Sequence, residues 1–400
     1  MSYQSTILHL PFLRKSITFL CCVSLFFNKS QAQYNIQFVI KNHPASHPND
    51  TIYLAGNFNQ WDPTGKTSQF TKEDNVYVLL LKNMPKQLYE FKLTRGSWQK
   101  VEAGAAGTSL LNRQLNIVSD TIIELSIAAW EDDFIKAEKG HTISSNVIVM
   151  DTAFAMPQLG RSRRIWLYLP DGYAFNKKKK YPVLYMQDGQ NLFDDVSAAY
   201  GEWGVDECLD STIKNGRPAC IVVGIDNGPQ RMNEYNPDDN EKFGKGEGRQ
   251  YVEFIANTLK PYIDGHYRTL TAKDYTLIAG SSMGGLISLY AMLQYPDVFG
   301  KAGIFSPSIW AANNIDTLTD AVAGKLSGKL FFYAGGQEGD IFVNDMFRIQ
   351  EKIGKKSATM IYAVVDKDGM HNEEAWRKWF PVFYNWVMAD GWNIITNKSD

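Results

Sequence analysis

Apolar residues run through this chain in two different rhythms. From Tyr34 to about Trp130 they come in short β-rich runs, YNIQFVIK, TIYLAG, VYVLLLK, LYEFKLT and TIIELSIA, separated by turn clusters such as NHPASHPND and NFNQWDPTGKTS. Several such runs at close spacing, with no helical period, predict a small all-β, immunoglobulin-like sandwich over 33–130. The charged stretch EDDFIKAEKGHT predicts a linker over 131–142. Beyond it the runs become near-continuous: NVIVM, RRIWLYLP, YPVLYMQD, ACIVVGID, YTLIAG, KAGIFS, KLFFYAGG and TMIYAVVD. Between them, Tyr251 to Ile263 places Val252, Ile255, Leu259 and Ile263 at helical spacing. Apolar strands alternating with amphipathic helices predict an α/β unit over 143–392, a mostly parallel sheet with helices on both faces.

The first residues follow neither rhythm. Arg14 and Lys15 precede an apolar run from Ile17 to Phe27, and Ser30 and Ala32 stand at small-residue cleavage positions. This predicts a secretory signal peptide over 1–32, cut after Ala32, and a soluble exported protein, periplasmic or extracellular. Leu20 before Cys21 argues against a lipoprotein signal. Hydrophobic content of 44% with 21% charged residues is an ordinary globular balance. Loss of the leader removes three basic residues and takes the formal charge from −2 to about −5. That balance gives no electrostatic reason to expect a nucleic-acid partner. Of the cysteines, only Cys208 and Cys220 lie beyond the leader. Export permits a bridge between them, although Cys208 falls on a predicted helix and Cys220 opens a predicted strand. No metal-ligand spacing is present, so no metal and no cofactor is expected.

The chemistry concentrates at "IAGSSMGGLI", residues 278–287. Gly280, Ser282 and Gly284 form G-x-S-x-G between a predicted strand and a predicted helix, the context of a nucleophile elbow. The spacing selects Ser282 rather than Ser281. The same stretch also reads as a polar loop opening a helix, with serine as its cap. The rest of the chain decides between the two. Eight strands with the elbow after the fifth match an α/β-hydrolase, which demands an acid after a later strand and a histidine near the end. Among the histidines beyond the leader, only His371 follows Ser282, in DKDGMHNEEAW just after the last strand. Nine carboxylates lie between them. The expected loop, GGQEGD after KLFFYA, supplies Glu338 as the favoured acid and Asp340 as the second choice. Met283 and Gln190 are the expected backbone donors of an oxyanion hole. Asp188 shapes the turn before Gln190, and Asp188, Arg231, Glu234 and Trp310 are the candidate pocket residues.

Two resemblances add to this. Around GNFNQWDP and YEFKLTRGSWQKVE the chain resembles the starch- and glycogen-binding sandwich modules related to carbohydrate-binding families 20 and 48. That resemblance implies a sugar platform of Trp61 and Trp98, with Lys92 and Asn112 beside it; a mainly structural or gating role fits the same residues. From about 145 to 390 the chain is similar to the esterase family that contains esterase D, feruloyl esterase domains and trilactone siderophore esterases. The residues that carry this are YMQDGQNLFD, IAGSSMGGLISLYAM, YPDVFGKAGIFSPSIW and GMHNEEAW.

Together these readings predict an exported serine carboxylic-ester hydrolase that removes an acyl or feruloyl group from a carbohydrate-linked ester, with glucan or another sugar as a partner. An acyltransferase of the same fold, a siderophore or lactone esterase, and a catalytically idle glucan-binding protein are the alternatives.

Overall fold

The structure, a computed structural model, describes residues 32–59, 61–74, 76–110, 112–134, 139–241 and 243–389. The expected signal peptide, residue 32 apart, and the end of the second unit lie outside them. Two compact units divide near residue 137.

The first unit is all-β. Strands β1 (Gln33–Asn42), β2 (Tyr53–Gly56), β3 (Thr71–Glu73), β4 (Val76–Pro85), β5 (Leu88–Thr94), β6 (Glu102–Ala103), β7 (Arg113–Asn116), β8 (Thr121–Ser126) and β9 (Ala129–Trp130) follow one another. They form one sheet in the order β3-β4-β1-β8, a second in the order β2-β5-β7 and the pair β6-β9. Alternate residues of each long strand turn inward, as the period of two requires: Ile36, Phe38 and Ile40 on β1, Tyr77, Leu79 and Leu81 on β4, Tyr89, Phe91 and Leu93 on β5. These side chains share one core, where Phe38 meets Phe91 edge-on at 5.3 Å between centroids.

The second unit is built on β10 (Val147–Met156), β11 (Arg161–Tyr168), β12 (Val183–Gln187), β13 (Ile221–Ile225), β14 (Thr276–Ser281), β15 (Lys301–Phe305), β16 (Lys329–Gly335) and β17 (Met360–Asp366). Their order across the sheet is β10-β11-β13-β12-β14-β15-β16-β17. β11 runs antiparallel to both its neighbours, and every pairing from β13 onward to β17 is parallel. The continuous apolar strands follow from burial on both faces. Along β12, Val183 and Tyr185 enter one core while Leu184 and Met186 enter the other.

Helices α1 (Val205–Lys214), α2 (Arg231–Glu234), α3 (Gly248–Phe254), α4 (Lys260–His266), α5 (Met283–Gln294), α6 (Ile315–Val322) and α7 (Asp340–Gly354) lie between these strands, and α8 (Glu373–Met388) follows the last. Residues from α3 to α7 fill the first core, and residues of α1 and α8 fill the second. The amphipathic run over 251–263 is helical throughout, with Val252, Ile255, Leu259 and Ile263 fully buried. A π-helical segment, Ile255–Leu259, joins α3 to α4.

The stretch expected as a linker is partly taken up by the flanking units. Asp132 and Asp133 hold Arg95 and His47 in the first unit. In the second, His141 and Thr142 bond to Asp194.

Candidate active site

The parallel strands deliver their loops to one edge of the sheet, and the polar residues singled out above sit on those loops. At the end of β14, Ser282 has φ 57° and ψ −122°, a conformation that side chains with a Cβ rarely adopt. Its N–H donates to the Phe305 carbonyl at 2.9 Å, and its carbonyl accepts from Leu286 and Ser308. Glycine is needed where the corner closes. A Cβ on Gly280 would stand 2.7 Å from Gln187 Cγ and from the Gly284 carbonyl, and one on Gly285 would stand 2.7 Å from the Phe305 carbonyl. Ser281 is 5% exposed, whereas Ser282 is only half-buried, so the accessible hydroxyl is the one the spacing selects. That hydroxyl hydrogen-bonds with Ser308 Oγ at 3.2 Å.

Ser306 links this corner to the next strands. Its N–H donates to the Tyr333 carbonyl, and its hydroxyl donates to Glu338 Oε1 at 2.6 Å while accepting from Trp376 Nε1 at 3.0 Å. Glu338 Oε1 also accepts the Gly335 N–H at 2.8 Å. Its other oxygen, Oε2, lies 2.9 Å from His371 Nδ1. With its carboxylate side chain at 0% exposure, Glu338 is the acid brought to the histidine. Asp340 is instead the exposed first residue of α7. The His371 ring packs against Phe342 and edge-on against Trp376, with centroids 4.9 and 5.1 Å away. Because Nδ1 faces a carboxylate, Nε2 is the nitrogen left for proton exchange.

Gln190 belongs to a single 3-10 turn, Gly189–Asn191, after β12. A Cβ on Gly189 would meet the Gly224 carbonyl carbon at 2.8 Å, so the turn lies directly on the backbone of β13. The side-chain oxygen of Gln190 accepts from the Asn227 N–H at 3.1 Å, and its carbonyl accepts from Ser197 Oγ at 2.6 Å. Asp188, left-handed at φ 57°, opens the turn. Its carboxylate takes two bonds from Arg231, at 2.7 and 2.8 Å, and one from Asn227 at 2.6 Å. A Cβ on Gly284 would stand 3.2 Å from Asp188 Oδ2, which places this carboxylate beside the first turn of α5. The first N–H groups of a helix have no intrahelical acceptor, and Met283 opens α5 directly after the serine. Burial works against the Arg231 charge, but the Asp188 carboxylate outweighs it and raises the guanidinium pKa.

Glu234, three residues from Arg231, does not share its surroundings. It is 0% exposed, with both oxygens held by Arg163 at 2.6 and 2.7 Å and one also by Arg161 at 2.8 Å. A carboxylate so enclosed is a brace between α2 and β11, without the exposure that a substrate contact needs. Trp310 stands two residues beyond Ser308, 41% exposed, with its ring 6.1 Å from that of Phe243. Ser306, Ser308 and Asn227 are site residues that the sequence reading missed. Only the FSPS stretch after a strand hinted at the two serines.

In the first unit, Trp61 and Trp98 come together with centroids 6.2 Å apart and planes inclined by 45°. Both are half-buried. Trp61 holds a positive φ of 60°, and Trp98 opens a 3-10 turn. Lys92 lies on β5 beside Ala55 of β2; burial lowers its pKa, against the pull of Glu131 and Glu102. Asn112 is exposed in the coil before β7.

Among the described residues one group of possible metal donors, His47, Asp132 and Asp133, lies within 4.8 Å. Its members already bond to one another and to the Arg95 guanidinium. Both described cysteines are free thiols, with burial pushing Cys208 up to about 11 and Cys220 up to about 12. No helix among the described residues is long and apolar enough to cross a membrane.

A sheet of this order, with a strained serine between its fifth strand and the following helix, defines an α/β-hydrolase. The family described as "Putative esterase" matches residues 156–385, more than half of the chain. The chain belongs to that family and is a carboxylic-ester hydrolase.

It is 32% identical over 187 residues to the uncharacterized protein YbbA of Bacillus subtilis, covering 44% of this chain and 70% of that one. An endo-1,4-beta-xylanase/feruloyl esterase of Xylanibacter ruminicola is 24% identical over 260 residues, 64% of this chain. The iron(III) salmochelin esterase of Escherichia coli O6:H1 is 31% identical over 155 residues, 38% of this chain. The match spans 33% of the length of each of these last two proteins. Among solved structures, an IroE-like serine hydrolase from Shewanella oneidensis aligns with a TM-score of 0.50 at 20% identity, over 61% of this chain and 78% of its own, a likeness of fold.

Proposed function

We propose that the protein is an exported serine esterase acting on an acyl or feruloyl ester carried by a polysaccharide. Ser282 Oγ bonds to the ester carbonyl carbon while its proton passes to His371 Nε2. The carbonyl oxygen takes up the negative charge, facing the N–H groups of Met283 and Gln190. Collapse breaks the bond to the alcohol, which leaves with the proton from His371. Water then repeats the sequence on the acyl-serine and releases the acid. Glu338 holds the imidazole in the tautomer with its proton on Nδ1 and stabilises the imidazolium.

The observation that carries this reading is the bond of 2.9 Å from His371 Nδ1 to a carboxylate with no solvent exposure, on the loop after β16. The apolar run Ile17–Phe27 supports export. The paired rings of Trp61 and Trp98, with Lys92 and Asn112 as neighbouring polar groups, support sugar binding by the first unit. The similarity to a xylanase/feruloyl esterase supports a polysaccharide-linked substrate.

The test is hydrolysis of p-nitrophenyl acetate and methyl ferulate by the purified protein beside Ser282→Ala. We expect kcat to fall by about 10⁴-fold or more in the variant. Turnover unchanged by the substitution would defeat the assignment of Ser282.

A further inference from the structure

Among the buried carboxyl groups that the mechanism above does not use, Glu373 sits against the turn that carries Gln190. Glu373 opens α8, two residues beyond His371, and is 8% exposed. Its Oε1 accepts a hydrogen bond from Asn191 Nδ2 at 3.2 Å. Asn191 directly follows Gln190, and its backbone carbonyl accepts from the Trp203 N–H at 2.8 Å. The turn is therefore tied down at Asn191 from two sides, by the backbone of Trp203 and by the side chain of Glu373.

The amide is only half satisfied. Asn191 Oδ1 is buried and has no hydrogen-bond partner among the described residues. A carboxylate can only accept, so an ionised Glu373 has nothing to offer that oxygen. A carboxylic acid carries one O–H donor. An acid facing an amide makes two bonds, N–H to one carboxyl oxygen and O–H to the amide oxygen, and so satisfies both groups.

The surroundings favour the same state. Burial disfavours the charged form most strongly, and the Asp188 carboxylate disfavours a second negative charge nearby. The backbone N–H of Glu373 itself, then Arg231 and Asn191, pull the other way, but burial outweighs them, and Arg231 already gives two hydrogen bonds to Asp188. On the loop packed against this helix end, Glu202 is taken by Arg377, one turn further along α8. Along the chain, the nearest titratable neighbours of Glu373 are Glu374 on α8 and His371 before it, which Glu338 engages. The Glu373 carboxyl is pushed up to about 7.

We infer that Glu373 is a positioning residue which, as the neutral acid, pins the Gly189–Asn191 turn through Asn191, and which loosens that turn when it ionises. The inference rests on the oxyanion role proposed above for Gln190. Glu373 must keep its proton, so activity falls as pH increases through about 7.

The test is the pH profile of kcat from 5 to 9 for the wild-type protein, Glu373→Gln and Ser282→Ala, with thermal unfolding followed over the same range. Wild-type kcat is expected to fall by about tenfold or more between pH 7 and 9. In Glu373→Gln, whose amide is permanently neutral, the descending limb should disappear. Unfolding supplies a readout independent of turnover. A carboxyl whose pKa is raised by folding loses stability as pH climbs from its unfolded value, near 4.5, to about 7. The Tm of the wild-type protein should therefore drop relative to Glu373→Gln across that window.

A descending limb shared by both proteins, or absent from the wild type, would overturn the inference. So would a Tm difference that stays constant with pH. Turnover that survives in Ser282→Ala would instead fell the nucleophile assignment, and the catalytic role of the turn with it.

Discussion

The carboxyl edge of the parallel sheet and the tryptophan pair of the β unit both bring distant residues together, and they do so by opposite means. Ser282, Glu338, His371 and Gln190 come from loops after four different strands. Each is held by directional hydrogen bonds, and the buried ones gather at Glu338, which accepts from Ser306 and Gly335 and faces His371. Trp61 and Trp98 meet only ring to ring, half-buried, on two turns of one surface. The difference matches what the proposed roles demand. Proton transfer and oxyanion stabilisation require groups held to a fraction of an ångström, which polar, directional supports supply. A stacking platform needs two apolar faces at a workable angle, and ring packing alone supplies that.

Glu338→Gln is the strongest way to break the first half of this comparison. The amide keeps the size of the side chain but removes the charge that stabilises imidazolium, and it presents either N–H₂ or oxygen where the structure uses two acceptors. We expect kcat on a small ester to fall by about 10²- to 10⁴-fold. A loss of stability of about 1–3 kcal/mol should accompany it, because whichever way the amide turns, either Ser306 and Gly335 or His371 loses its acceptor. Asp340→Asn should leave kcat within about twofold, as expected of an exposed residue at the start of α7. Equal losses from the two substitutions, measured by steady-state kinetics, would show that the acid is not singled out by its burial.

A smaller effect separates two neighbours on α2. Arg231 grips Asp188 beside the serine corner, whereas Glu234 braces Arg161 and Arg163 on β11. Arg161 keeps Glu247, but removing Glu234 strands the buried Arg163, so Glu234→Ala should cost about 3–5 kcal/mol of unfolding free energy. The activity of the molecules that remain folded should change little. Denaturant unfolding paired with active-site titration reads both quantities. A variant of wild-type stability would show that Arg163 finds another partner.

These two residues also show where sequence reasoning stops. The elbow was legible because three features coincide at Ser282: an apolar run, glycines flanking a serine, and a helical run. His371 was legible because no other histidine follows the serine, and Glu338 because it is the first carboxylate after its strand. Glu234 sits in an equally polar loop, where nothing local says that the side chain turns inward. Its partners lie about 70 residues earlier, on a strand paired through the sheet. Ser306 and Ser308 were hidden for a related reason. Serine after a strand is common, and only the fold places one under Glu338 and the other on the nucleophile. In the β unit the alternation of apolar residues announced the strands, but ion pairs such as that of Asp132 with Arg95 leave no periodic trace.

The smallest expected effect tests the second half of the comparison. Trp61→Ala and Trp98→Ala each remove one face of the ring pair, while the buried core of the β unit, centred on Phe38, Phe91 and Trp130, stays in place. If the pair is a sugar platform, each substitution should weaken retention on soluble glucan by about 1–2 kcal/mol, roughly 5- to 30-fold in Kd. Hydrolysis of p-nitrophenyl acetate should be unchanged, since that substrate offers no sugar ring to stack. Affinity electrophoresis in glucan-containing gels reads the first quantity and initial rates read the second. Unchanged mobility of both variants would leave the tryptophans as surface packing. A fall in the rate on the small ester would mean that the ring pair supports the hydrolase unit itself, and the contrast between a rigid polar site and a stacking platform would fail.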